Sequence, residues 1–356
     1  MRLITYRIFQ YSLPFIKPLV FKTKSITNRD GIILILKFDN EIEGIGEIAP
    51  LPGFSKTSIR DCLDNLKIIC NNLIRKPLNN ISEEFFKWLD NSIIVPEVQF
   101  GIEMAVYNAM AIIRNLPLCK FISETSSNEV ILNGLVQGDK SSVSDEAISL
   151  LQKGFKLIKV KATGNVEEDI NIVTSVIKTV ENYAKIHIDA NQKWTFDDAL
   201  LFAKKIDTTN IIYIEEPFSE ISRIAEFFKE TKIPVALDES LALYKLDFLL
   251  TIKGVEYIVI KPTFLGGIRK TLCFINKARK TSLRPVISSF FESGIGINTL
   301  IHIAAGSGQD ITLGIDTLKY FERDLLKKAL EFNSGKVVVP QNISINTINF
   351  INLREV

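Results

Sequence analysis

Residues 185–217 read KIHIDANQKWTFDDALLFAKKIDTTNIIYIEEP. The two ends of this stretch, 185–190 and 210–216, are short apolar runs that close on acids, and between them the apolar residues of FDDALLFAKKI recur at helical spacing. Thr195 stands where a helix N-cap belongs, because its hydroxyl can accept from a free N–H of the first turn. Strand, helix and strand in this order form one βαβ unit, and a crossover of this length joins parallel strands.

The same texture extends in both directions. VILNGLV (130–136), KLIKVK (156–161), IPVALDE (233–239), VEYIVIK (255–261), RPVISS (284–289) and ITLGID (311–316) alternate with segments such as EDINIVTSVIKTVEN and EISRIAEFFKE. The polar residues that end successive runs are 28 residues apart from Lys161 to Asp189, then 26 to Glu215, 23 to Asp238 and 23 to Lys261. A closed barrel of eight such units averages roughly 31 residues per unit, so compact units of this length suit it. A doubly wound open sheet competes, but no run leads into a glycine-rich phosphate turn, and polar residues end every run rather than one switch point. The expected fold is α/β: a modified (β/α)8 TIM-type barrel with an α+β capping domain.

The flanks break the repeat. GIILILKF and EGIGEIAP read as strands, and GIEMAVYNAMAIIRN as a buried helix closing before Pro117. Past residue 320, ERDLLKKALEF has helical periodicity and is followed by the apolar-polar GKVVVP and ISINTINFI. The expected division is a capping domain from 1–115, completed by 321–356, and a barrel from 116–320.

A net charge of +2 gives no argument for nucleic acid or an anionic membrane as partner, so binding is sought in a local site. Cys62, Cys70, Cys119 and Cys273 form no CxxC pair and no ligand-spaced cluster, which points to reduced, buried thiols rather than disulfides or a zinc site. The first residues interleave cations and prolines with apolar residues, unlike a signal peptide, and no apolar run approaches the roughly 18 residues needed to span a bilayer. A cytoplasmic location is the expectation. With only His187 and His302 available, acid–base chemistry falls to Lys, Asp or Glu, and His187 reads as a residue of the barrel interior.

Barrel enzymes gather their reactive groups at the C-terminal strand ends. Here those ends carry Lys159 and Lys161, Asp189 and Asn191, Glu215 and Glu216, Asp238 and Glu239, and Lys261. Taken singly, an acid at a strand end is more often a helix cap or a solvated charge. Together, three converging carboxylates repel one another unless a hard cation such as Mg2+ binds them. Lys159 and Lys161, two positions apart on one strand face, crowd each other, which lowers the pKa of at least one and suits it to act as a base.

KVK, DAN, EEP, DES and IKP in this order resemble the enolase superfamily, in its muconate-cycloisomerase-like subgroup. RDGIILIL, EGIGEIAPLPGFS, IVIKPTFLGG and VISSFFESGIGINTLIHIAA are most similar to the o-succinylbenzoate synthase family within it. The resemblance implies Asp189, Glu215 and Asp238 as ligands of Mg2+, with Mn2+ as a substitute, and Asn191 and Glu239 as residues that orient those ligands. It implies Lys161 as general base and acid, Lys159 and Lys261 as cations flanking the enediolate, Ser288 and Ser289 as substrate contacts, and loops around 14–30 and 50–56 as the cap over the substrate. The implied reaction is a Mg-dependent lyase step, syn dehydration of a small carboxylate, 2-succinyl-6-hydroxy-2,4-cyclohexadiene-1-carboxylate, on the menaquinone route. Phe290 and Phe291 depart from the family's pattern. Two rivals remain: an N-acylamino acid racemase or dipeptide epimerase that uses Lys161 and Lys261 as opposed bases, though no Asp follows Ser288 and Ser289 immediately to hold a dipeptide's ammonium and Glu292 is only nearby, and a barrel that binds without catalysis.

Overall fold

The computed structural model describes residues 2–21, 24–75, 83–138, 141–281 and 283–356. Strands β1 (Leu3–Phe21), β2 (Lys24–Phe38) and β3 (Glu43–Ile48) form an antiparallel sheet. In β2 the unbroken run 32–36 is buried on both faces. Ile33 and Ile35 join the core that continues into the rest of the molecule, while Ile32, Leu34 and Leu36 join a second core with the helix Ile59–Arg75. The helix Pro96–Ile113 lies directly on β3: a Cβ on Gly44 would sit 2.0 Å from the Ala105 carbonyl oxygen, and one on Gly46 1.9 Å from that of Gly101. Only glycine permits that approach.

Eight parallel strands follow: β4 (Glu129–Val136), β5 (Leu157–Lys161), β6 (Lys185–Asp189), β7 (Ile211–Glu215), β8 (Val235–Leu237), β9 (Val255–Ile260), β10 (Arg284–Ser288) and β11 (Thr312–Gly314). Each pairs with its neighbour in sequence, and Thr312 opposite Ile131 closes the ring. The barrel expected from the alternating runs is thus formed, with every run on its own strand. Thr195 caps the helix Phe196–Lys205 in a reciprocal pair with Asp198. Among the described residues no helix is long and apolar enough to cross a membrane.

The chain's last part serves both units. β12 (Phe332–Asn333) and β13 (Lys336–Val338) form a hairpin whose second strand runs antiparallel to β4, and β14 (Leu353–Glu355) adds to the edge of β1. The helix expected over 322–332 does not form. Tertiary partners override its local periodicity: Phe321 bridges to Phe15 and Leu326 to Ile348, Leu325 is fully buried, and the Asp324 carboxylate accepts from Gly294 N–H (2.7 Å). Two further expectations need correction. Residues 14–21 and 24–30 are the paired arms of β1 and β2 rather than a loop, and the tip at 22–23 lies outside the described residues. Cys62, Cys70 and Cys119 are buried thiols, but Cys273 is exposed, because it sits on the solvent face of the helix Ile268–Lys280.

Candidate active site

At the C-terminal mouth of the barrel, the strands bring together the charged strand ends singled out in the sequence, with the exception of Glu216. The Lys159 ammonium is 2.8 Å from Asp189 Oδ2 and 2.8 and 2.9 Å from the two oxygens of Glu215. Lys261 donates to Asp238 Oδ2. Lys161, two residues beyond Lys159, has no hydrogen-bond or ion-pair partner among the described residues. The three cations are therefore unequal. Burial disfavours charge on Lys159, but Asp189 and Glu215 outweigh it and hold the ammonium well above its ordinary pKa. For Lys161, burial, aided by repulsion from Lys159 and Lys261 and opposed by Asp189, lowers the pKa. Burial pushes Glu215 up, and the neighbouring Asp189 charge adds to the shift.

Asp189, Glu215 and Asp238 are all nearly inaccessible. As they stand, no three acidic, His or Cys side chains among the described residues are gathered closely enough to hold an ion, since the lysines draw the carboxylates to themselves. The donor set nonetheless suits a hard cation. It is all carboxylate oxygen, and one ammonium already collects three of those oxygens. Behind the ring, Asn191 Nδ2 donates to Glu239 Oε1 (3.2 Å) and Asn191 N–H to Asp189 Oδ1 (3.2 Å), while Glu239 Oε2 is buried with no partner among the described residues. Burial, with Asp238 beside it, raises the Glu239 pKa to about 7.

The second acid of EEP has a separate position. The Glu216 carboxylate accepts from Asp238 N–H and Ser240 N–H (both 2.8 Å), Ser240 Oγ (2.9 Å) and Gln192 Nε2 (2.8 Å), so it fixes the backbone that carries Asp238. The doubled acid was the only signal in the sequence. His187 is buried and stacked on Tyr213 with ring centroids 4.6 Å apart; burial, then the Lys159 charge, lowers its pKa to about 3. It is a neutral residue of the barrel interior, as read from the sequence.

Above the ring is a cavity of about 870 Å3, its open mouth included. Ser288 and Ser289 line it, held by the Gly314 carbonyl (3.3 Å) and the Thr317 hydroxyl (2.9 Å). Phe290 and Phe291 turn toward the cap: Phe290 packs with Leu51 and lies edge-on to Phe54, and Phe291 edge-on to Phe15. The Glu292 carboxylate is fully buried and accepts from Thr263 Oγ1 (2.5 Å) and Phe290 N–H (2.6 Å), so it does not face the cavity as an ammonium partner. Asp316 does line the cavity, but Lys319 Nζ donates to it (2.5 Å); ITLGID contained it, unremarked.

Two residues missed in the sequence join cap to barrel. Arg29, fully buried, sends all its donors to main-chain oxygens: Nε to Phe291 (2.9 Å), Nη1 to Asp30 (3.0 Å) and Pro50 (2.6 Å), Nη2 to Ala49 (2.5 Å) and Phe290 (3.2 Å). Glu47 accepts from Tyr11 Oη (2.5 Å), Ser293 N–H (2.8 Å), Ser293 Oγ (2.7 Å) and Gly296 N–H (2.7 Å), at the start of the helix Gly294–Ser307. The only hint was their place inside the stretches RDGIILIL and EGIGEIAPLPGFS.

Comparison with known proteins agrees with this architecture. The family described as Enolase C-terminal domain-like matches residues 142–343, and the one described as MenC, N-terminal domain, matches 2–109. The o-succinylbenzoate synthase of Vibrio cholerae serotype O1 is 30% identical over 328 residues, covering 89% of this chain and 90% of the relative. Protein PHYLLO of Arabidopsis thaliana is 28% identical over 344 residues, but the chain spans only 20% of its length. Among solved structures, the N-succinyl Arg/Lys racemase of Bacillus cereus superposes with a TM-score of 0.88 at 22% identity over the whole of both chains. The L-Ala-D/L-Glu epimerase of Bacillus subtilis superposes with a TM-score of 0.87 at 20% identity, over 99% of this chain and all of the other. With one family model matching more than half of the chain and a second matching the cap, the chain belongs to the enolase superfamily and is an enzyme of that superfamily with a MenC-type N-terminal domain.

Proposed function

We propose that this enzyme is an o-succinylbenzoate synthase, a carbon–oxygen lyase of the cytoplasm on the menaquinone route that dehydrates 2-succinyl-6-hydroxy-2,4-cyclohexadiene-1-carboxylate to 2-succinylbenzoate. The observation that carries the reading is the inequality of the three lysines: Lys161 has no partner among the described residues and a lowered pKa, whereas Lys159 and Lys261 are held as ammonium ions by carboxylates. One free amine suits an elimination run on a single face; two opposed bases would suit racemisation.

Asp189, Glu215 and Asp238 would hold Mg2+, with Mn2+ as a substitute, and Asn191 and Glu239 would orient them. When bound there, the ion would supply positive charge that makes the α-proton of the substrate carboxylate more acidic. Lys161 takes the α-proton, and the freed electron pair spreads into the carboxylate as an enediolate, beside the Lys159 and Lys261 ammonium ions. The pair then returns to the ring, the bond to the neighbouring hydroxyl breaks, and the Lys161 ammonium gives its proton to the departing hydroxide. Water and an aromatic ring result. Ser288 and Ser289 contact the substrate, and the cap, taken as 1–115 with 321–356 over a barrel of 116–320, closes above it. The engaged Glu292 supports the synthase over a dipeptide epimerase, which needs a free acid for the substrate ammonium.

The test is kcat/KM, with Mg2+ present, across the cyclohexadiene carboxylate, N-acyl amino acids and dipeptides. The cyclohexadiene carboxylate should lead by orders of magnitude; a dipeptide or N-acyl amino acid in first place overturns the reading.

A further inference from the structure

The inside of a closed eight-stranded barrel is normally packed with layers of bulky branched side chains. Here the layer beneath the strand-end ring is different. Asn133 on β4, His187 on β6 and Tyr213 on β7 point inward, all at least nine-tenths buried, and β8 adds only Ala236 beside Tyr213. No side-chain polar atom of Asn133, His187 or Tyr213 has a hydrogen-bond partner among the described residues, and Asn133 Oδ1 is wholly shielded by protein. These three, with Val286, line both the catalytic cavity and a second cavity of about 940 Å3, its mouth included, which opens at the N-terminal face of the barrel. That lower mouth is polar: Arg284 donates to Tyr257 Oη (2.8 Å), and Lys185 to Asn210 Oδ1 (3.0 Å).

We propose that ordered water molecules bound to Asn133, His187 and Tyr213 form a chain through the barrel, joining the catalytic cavity to solvent at the opposite face. Three buried polar side chains left unpaired would each be costly, and nearby protein groups do not satisfy them. Water does, because the site offers several polar partners within one space and an entry path lined by Arg284 and Lys185. The chain gives the reacting groups a second aqueous connection, independent of the cap. In the proposed dehydration one water forms beneath the cap at every turnover, and the chain is its exit; that consequence rests on the synthase reading, whereas the hydration itself does not.

A high-resolution crystal structure of the full chain loaded with Mg2+ tests the hydration directly. Waters should lie within hydrogen-bond distance of Asn133 Nδ2, a ring nitrogen of His187 and Tyr213 Oη, in an unbroken run to the lower mouth. Tyr213→Phe keeps the ring and removes one anchor, so it should lose the water at that position and lower the melting temperature. A dry interior, or a Tyr213→Phe protein that melts at the same or a higher temperature, overturns the chain. For the exit, Thr312→Phe places a ring in the lower mouth and should lower kcat severalfold with KM unchanged; an unchanged kcat overturns that role. Because the crystal structure needs no turnover, failure of the synthase reading and failure of the water chain are told apart.

Discussion

Replacing Arg29 by lysine separates the charge of this residue from its geometry. The guanidinium fills five main-chain acceptors in three segments: its own strand, the cap residues Ala49 and Pro50, and the barrel residues Phe290 and Phe291. An ammonium has three donors, so at least two of these carbonyls lose their partner. Arg29 is fully buried, and solvent does not replace what is lost. At about 1–3 kcal/mol for each unsatisfied buried group, Arg29→Lys should cost about 2–6 kcal/mol, a large part of the stability of an ordinary domain. The damage also has a direction. Leu51, Phe54, Phe290 and Phe291 line the cavity from the segments Arg29 ties together, so KM should rise more than kcat falls. Urea denaturation and steady-state kinetics on the same preparation measure both. A loss below about 0.5 kcal/mol, the range of ordinary surface substitutions, with KM unchanged, refutes the claim that Arg29 sets the joint.

Glu216→Gln keeps the shape of the side chain but turns one acceptor oxygen into a donor facing the groups around Ser240, so Mg2+ affinity should fall by about 10-fold or more through misplacement of Asp238, as read by metal titration. His302 accepts from Cys119 N–H and burial lowers its pKa to about 4 from 6.5, so the unfolded chain binds the extra proton first as pH falls. Its contribution is therefore complete above pH 6.5 and lost toward pH 4, and His302→Gln should remove about 3 kcal/mol of that acid-side loss in denaturant titrations at the two pH values; an unchanged slope contradicts the assignment.

Much of the barrel was legible because its signals are local. The apolar runs recur at a compact period, and Thr195 with Asp198 marks a helix start by residue type alone. The site was legible for a related reason: a closed barrel places every strand end on one rim, so Lys161, Asp189, Glu215, Asp238 and Lys261 converge once the runs are in register. What escaped depends on contacts between distant segments. ERDLLKKALEF has helical periodicity, yet Asp324 is drawn to the Gly294 N–H and Leu325 into the core. Arg29 and Glu47 look like ordinary charges in strands, and the barrel partners that give them their role lie more than 200 residues away. Glu216 sits beside Glu215 in sequence but faces the backbone of the next strand end, a distinction that spacing does not carry.

The central claim is that Lys161 moves the proton while Lys159 and Lys261 act as cations, and the most direct measurement is deuterium exchange at the substrate α-carbon in D2O, paired with single-turnover dehydration, for Lys161→Ala and Lys261→Ala. Lys161→Ala should lose exchange and dehydration together while Mg2+ and substrate still bind, because Asp189, Glu215 and Asp238 are untouched. Lys261→Ala should dehydrate slowly but still exchange the α-proton through Lys161. Near-normal dehydration by Lys161→Ala, with proton abstraction lost instead in Lys261→Ala, would contradict the account and move the base to the far side of the ring.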